Sequence, residues 1–329
     1  MKRREFITLL GCAAATWPLA ARAQQPERVR LIGVLTPYAA ADPEGQARTS
    51  AFINTLQGLG WTDARNPRIE VRWFAGNVER AKADAAELVG LAPDVIVVGS
   101  NPGLAELRLL TRTIPVVFTQ VSDPIDSGFV SGLARPGGHI TGFQNFEPAI
   151  GGKWLGVLKE AVPNVRQVAV LLNPQTASNA AFLRAAQGVA PSLGVQITAA
   201  GVTDGAEIER AITMFASNAD GGLVVAPHPI IVRHRRSIIE LTARHRLPAV
   251  YPFRFLATEG GLMSYGIDQI EQWRGAAKYV DRILRGEKPG ELPVQAPTKY
   301  EFVINLKTAR TLGLQIPPSL LAVADEVIE

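Results

Sequence analysis

The residues with the most chemistry in them follow the apolar run 115–118. Thr119, Gln120, Ser122 and Asp123 bring two hydroxyls, an amide and a carboxylate into one short stretch. A Gly- and Pro-rich tract, 127–138, separates them from a second short apolar run, 140–143. Such groups can hydrogen-bond a small polar ligand. They do not by themselves make a catalytic centre, which needs a nucleophile, a base and an orienting partner in one place. The same pattern recurs along the chain. The run 95–98 leads into Gly99-Ser100-Asn101, 168–172 into Asn173-Pro174, and 223–226 into Pro227-His228. Short buried strands that end in polar groups are typical of an open α/β sheet. Ligands of such sheets bind in the crevice outside the carboxyl ends of the strands.

Several chemistries have no motif here. There is no Gly-x-Ser-x-Gly elbow, no Walker loop and no His-Glu-x-x-His. No Gly-x-Gly-x-x-Gly follows the first strand, which argues against a dinucleotide enzyme. The four histidines, His139, His228, His234 and His245, are scattered without ligand spacing. His234 and His245 share a basic helix with Arg233, Arg235, Arg236, Arg244 and Arg246, which reads as a solvated face. The expectation is a protein without catalysis, metal or bound cofactor.

Residues 1–23 read as an export signal. Lys2-Arg3-Arg4 precede a mostly apolar stretch, 6–20, too short to span a bilayer comfortably. Ala21-Arg22-Ala23 forms a small-x-small cleavage site. The adjacent arginines resemble a twin-arginine (Tat) signal, with an ordinary Sec signal as the alternative. Leu9-Leu10-Gly11-Cys12 resembles a lipoprotein box, but it lies too near the N-terminus for a full apolar core before it. The reading is a periplasmic protein without a lipid anchor. The whole chain has 34 basic and 30 acidic residues. Without Lys2, Arg3, Arg4, Arg22 and Glu5 it keeps 30 and 29, so its basicity is mostly signal and gives no argument for nucleic acid. Cys12, the only cysteine, leaves with the signal.

The remaining residues, about 306, suffice for two domains. Strand and helix patterns alternate from residue 29 to 143, and the alternation begins again with a helix near 148. Two successive α/β units of similar length imply two similar lobes, each a mostly parallel sheet with helices on both faces. A shorter third section follows Gly260-Gly261. In it Asp268 and Glu271 form a capping box, and 300–305 alternates like an edge strand. This section reads as the chain crossing back between lobes. Crossings are expected at 143–147, 255–260 and 293–297. Lobe 1 would then be 24–145 plus 259–294, and lobe 2 would be 146–258 plus 295–329.

The tracts DPIDSGFVSGLARPGGHITGF and GGLMSYGIDQ, the closing VINLKTARTLGLQIPPSLL, the signal and the twin lobes together carry a resemblance. The chain resembles ABC-transporter substrate-binding proteins of the periplasmic type I fold, in the branch that includes tryptophan- and phenylalanine-binding members. The resemblance implies two Rossmann-like lobes joined by a three-crossing hinge, a small ligand between them, and partnership with a membrane permease and ATPase. A monomer is expected. It places ligand contacts at Thr36, Tyr38, Ser100, Asn101, Thr119 and Asp123 in lobe 1. In lobe 2 it places them at Asn173, Asn179, His228, Tyr251 and Phe253, with Asp268 at the start of the returning helix. Asp123 and Asp268 would pair with a ligand amine. Ser100, Asn101 and Thr119 would bind a carboxylate, and Tyr38, Tyr251 and Phe253 an aromatic or apolar part. His228-Pro229-Ile230 departs from the polar loop expected for an amino-acid binder. The alternative is an exported sensory or enzymatic α/β protein on the same fold.

Overall fold

The computed structural model describes residues 29–62 and 67–329. The expected export segment lies outside the described residues.

The first sheet collects β1 (Leu31–Thr36), β2 (Arg68–Trp73), β3 (Val95–Val98), β4 (Val116–Val121) and β5 (Ile140–Gln144), all parallel, in the order β2-β1-β3-β4-β5. Helices α1 (Pro43–Gly58), α2 (Val78–Gly90) and α3 (Asn101–Leu110) connect them. β3 shows why its sequence is an unbroken apolar run. Val95 and Val97 face one core with Phe52 and Leu56, while Ile96 and Val98 face the other with Ala85, Leu88 and Leu104. A strand covered on both faces has no polar side to offer. The helix starts are fixed locally. Asp42, Asn77 and Ser100 each accept a hydrogen bond from a backbone N–H of the first turn.

The second lobe begins with α4 (Ile150–Ala161), β6 (Gln167–Leu172), α5 (Ala177–Val189), β7 (Gln196–Gly201), α6 (Gly205–Phe215) and β8 (Gly221–Val225). The expected single basic helix is two, α7 (Pro229–Arg233) and α8 (Arg235–Arg244), divided at His234. Then come β9 (Ala249–Tyr251), α9 (Arg254–Thr258) and β10 (Met263–Gly266). After α10 (Gln269–Leu284) the chain adds β11 (Glu301–Asn305), α11 (Leu306–Leu312), α12 (Pro318–Val323) and β12 (Glu326–Ile328). The seven strands run β12-β11-β10-β9-β8-β6-β7, with β10 and β11 antiparallel.

Two expectations are corrected here. β10 pairs with β9 in the second sheet, so the middle crossing falls after Gly266 and not at 255–260. The Gly260-Gly261 pair that suggested a boundary is the turn between α9 and β10. β11 is not an edge strand either: β12 covers its outer side, and its burial is continuous and not alternating.

α10 carries the chain back to the first lobe. Its Trp273, Ala277 and Val280 join Ile32, Val34 and Phe52 in one core. The first and third crossings lie side by side. Gln144 N–H donates to Gln295 O at 2.8 Å, and Gln295 N–H donates to Gly142 O at 2.9 Å.

Candidate functional site

The carboxyl ends of strands from both sheets meet around one narrow cavity. Pro37 and Tyr38 follow β1, and Gly99 to Pro102 join β3 to α3. Gln120 lies in β4, Ser122 follows it, and Asn145 follows β5. The second lobe adds Thr176 before α5, Pro227 to Pro229 with Val232 after β8, and Phe253 after β9. The lobes are closed on each other. Gly76 sits so near the second lobe that a Cβ there would be 2.7 Å from Pro229 O.

Gln120 is the most constrained of these residues. Its φ is +54°, in the left-handed region, and the register of β4 against β5 shifts between Phe118 and Val121. The bulge turns one residue of an otherwise buried strand toward the cavity. Four bonds then hold its surroundings. Gln120 N–H donates to Gln272 Oε1 at 2.9 Å, and Gln272 Nε2 to Gln144 O at 2.7 Å. Gln120 Nε2 donates to the Tyr38 hydroxyl at 3.0 Å, which donates to Gln269 Oε1 at 3.4 Å. Arg48 also donates to Gln269 Oε1 and lies 4.9 Å from the Tyr38 ring centre. Burial raises the Tyr38 pKa despite the opposing guanidinium of Arg48, so Tyr38 is a neutral phenol.

What the network leaves free is informative. Gln120 Oε1, Asn145 Oδ1, Gln269 Nε2 and Arg48 Nε are buried without any hydrogen-bond partner, and of these the two oxygens belong to residues that line the cavity. An unmet buried acceptor costs about 1–3 kcal/mol, so such a pair at a cavity calls for a donor from outside. From the other lobe, His228 Nδ1 accepts from Ile230 N–H at 3.2 Å. Burial pushes its pKa down to about 4, so the ring is neutral and its one proton sits on Nε2. His228 thus offers a donor. Phe253 closes the apolar side, stacked on Phe146 at 6.1 Å and on Phe255 at 5.5 Å. No ionised side chain lines this cavity among the described residues.

Charge gathers just outside it. Arg235, on the second lobe, donates to Asp42 Oδ2 on the first at 2.5 Å, and to both oxygens of Glu259 on its own lobe at 2.9 Å. Arg235 and Arg48 each lie 5.7 Å from the centre of the Phe255 ring.

Of the residues expected at the site, Tyr38, Ser100, Asn101, His228 and Phe253 line the cavity. The others lie elsewhere. Thr36 is fully buried at the end of β1, and Thr119 within β4, where it is bonded to Val98 O. Asn173 lines the open chamber next to the cavity, and Asn179 braces its loop: Asn179 Oδ1 accepts from Asn173 N–H, and its Nδ2 donates to Pro227 O. Tyr251 belongs to the core of the second lobe, its hydroxyl paired with Thr242 of α8. Asp268 is exposed and caps α10. Asp123, at φ +50°, caps no cavity edge; burial and nearby Asp126 raise its pKa. The site reading missed Asn145, Arg48, Arg235 and Gln269. It noted Gln120 without assigning it a contact. Only Gln120 had a local signal, its place in the polar cluster after 115–118. Among the described residues no group of three or more His, Cys, Asp or Glu could hold a metal ion.

Two mostly parallel α/β lobes, three crossings and a polar cavity between strand ends define a two-lobed solute-binding protein of the type I periplasmic binding fold. Residues 40–328 match the model of the ABC transporter substrate binding protein family, and the chain belongs to that family. It is similar to a tyrosine-binding protein of Clostridioides difficile (strain R20291), 23% identical over 80% of this chain and 76% of that protein. Among solved structures it is similar to an ABC domain of Streptococcus pneumonia in complex with L-Trp. There the identity is 25%, the TM-score 0.84, and the match covers 91% of this chain and 100% of that one. A conserved domain protein of Vibrio cholerae matches at 26% identity and TM-score 0.84, again over 91% and 100% of the two chains.

Proposed function

We propose that this chain is the solute-binding component of an ABC importer, working outside the cytoplasmic membrane after export by its N-terminal signal. Its ligand is an amino acid or a related aromatic, carboxylate-bearing compound held between the lobes. The observation that carries this reading is the pair of partnerless amide oxygens, Gln120 Oε1 and Asn145 Oδ1, beside a cavity free of ionised side chains. Two acceptors in one place suit a ligand ammonium, the role first expected of Asp123 and Asp268. Ser100 already accepts from Gly103 N–H, which leaves its hydroxyl proton and the start of α3 for a carboxylate. Tyr38 and Phe253 supply faces for an aromatic part. A relative named a tyrosine-binding protein and a similar ABC domain in complex with L-Trp agree with this polarity. No enzymatic role is proposed: among the described residues no hydroxyl of the cavity is hydrogen-bonded to His228.

Closure follows from where the contacts lie. A ligand touching both lobes has contacts only in the closed form, and so shifts the population toward it. The test is a thermal-shift screen of the protein lacking residues 1–23 against amino acids and aromatic acids. A ligand at a hundred times its dissociation constant stabilises by about 2.7 kcal/mol. Gln120→Ala and Asn145→Ala should each abolish most of that response. A ligand that stabilises both variants as it does the parent would refute the site.

A further inference from the structure

The cavity does not end at His228. An outer chamber, open to solvent, continues it through four shared residues: Asn101, Pro102, Thr176 and His228. Its character is different. Arg108 lies in the last turn of α3 and Arg112 just past its extended C-cap residue Thr111, and neither forms an ion pair among the described residues. The Arg108 guanidinium is steadied against Gly128, where a Cβ would be 3.2 Å from its Nη1. Across the gap begins α5, a helix of 13 residues with no acidic residue in its first turn. Thr176 stands at its N-cap, but its side chain makes no capping bond. His228, about 94% buried, adds an Nε2–H with no protein partner. Donors and positive ends therefore face each other from the two lobes. Glu106 is the one carboxylate lining the chamber among the described residues, against two guanidinium groups. Phe129 and Leu109, the latter 78% exposed, form an apolar flank.

We propose that this chamber is an anion subsite, where the carboxylate or phosphate of an aromatic small molecule is held by His228 and the start of α5 on one lobe and by Arg108 and Arg112 on the other. The proposal rests on the cleft being a ligand site, but not on which amino acid it takes. It implies that the natural ligand is longer than its ammonium-bearing end, or that a second, acidic molecule occupies the mouth.

The experiment uses three fragments of one size: phenyl phosphate, benzoate and neutral benzamide. Each is titrated into the protein lacking residues 1–23 by calorimetry, and into its Arg108→Gln/Arg112→Gln variant. Both arginines are exposed, so the variant should fold as the parent does. Phenyl phosphate or benzoate should bind the parent, weaken about tenfold or more in the variant, and weaken further with salt. Benzamide should bind neither protein better than the anions do. A preference for phenyl phosphate or for benzoate identifies which acid the subsite takes. Equal binding of benzamide, no binding of either anion, or anion affinity unchanged by the double substitution would each overturn the proposal. A silent amino-acid screen would count against the reading of the inner cavity and leave this result standing.

Discussion

Asp42→Asn tests whether the contact between lobes sets the closed population. Asp42 does two things: its Oδ1 accepts from Glu44 N–H and caps α1, and its Oδ2 accepts from Arg235 across the cleft. Asparagine caps a helix about as well as aspartate, so the substitution removes the ion pair and keeps the cap. The pair is nearly dry, with side-chain exposures of 12% for Arg235 and 8% for Asp42. Hydrogen bonds to charged groups contribute about 1.5–3 kcal/mol. Arg235 retains Glu259 on its own lobe, so no unpaired cation is left buried. The net cost to the closed form alone should then be about 1–2 kcal/mol, or about 5- to 30-fold in its ratio to the open form. If the ligand-free protein is mostly open, ligand affinity should fall by that factor; if it is mostly closed, affinity should fall less and small-angle scattering of the ligand-free protein should show a larger radius of gyration. The melting temperature should barely move, because neither lobe loses a core contact. An unchanged radius and affinity would refute the assignment of Arg235 as a closing contact. A large fall in melting temperature would show instead that Asp42 stabilises its own lobe.

Three further outcomes follow from single residues. His228 has its pKa lowered from 6.5 to about 4, so between these values the unfolded chain binds more protons than the folded one. Stability should fall by about 3 kcal/mol as pH drops from 6.5 to 4 and change no further from this group below that. His228→Gln should flatten that part of the parent's denaturant-midpoint curve, and an unaltered slope would argue against the buried neutral ring. Tyr251→Phe removes one buried hydrogen bond to Thr242. It should cost about 1 kcal/mol in chemical unfolding and leave ligand affinity alone; a weakened affinity would return Tyr251 to the cleft. Gly76 has φ +69° and abuts Pro229 O, so Gly76→Ala should strain its own turn by about 1 kcal/mol and, by crowding Pro229 O in the closed form, also weaken ligand binding. Equal affinity in parent and variant would mean that the lobes do not need this approach.

The local architecture was legible in the sequence because it depends on neighbours in sequence. The run at 95–98 is a strand buried on both faces, and its unbroken Val-Ile-Val-Val says so. Asp42, Asn77, Asp204 and Asp268 are short polar residues ahead of helical periodicity, and all four cap helices. The repeat of the α/β unit gave two lobes. Tertiary structure decided which polar residues face the cleft. Tyr38 and Tyr251 look alike in sequence, each at a strand end. Both are buried among apolar neighbours, but only Tyr38 also lines the cavity, while the Tyr251 hydroxyl pairs with Thr242 inside its own lobe. Gln120 reaches the cavity through a bulge that no residue pattern announces, and Asn145 through a crossing whose partner strand lies far along the chain. The Tyr38–Gln269 bond spans 231 positions, and the Arg235–Asp42 pair spans 193. Periodicity and capping report on a few residues at a time. Contacts at such separations depend on how the two lobes are set against each other, which local patterns do not encode.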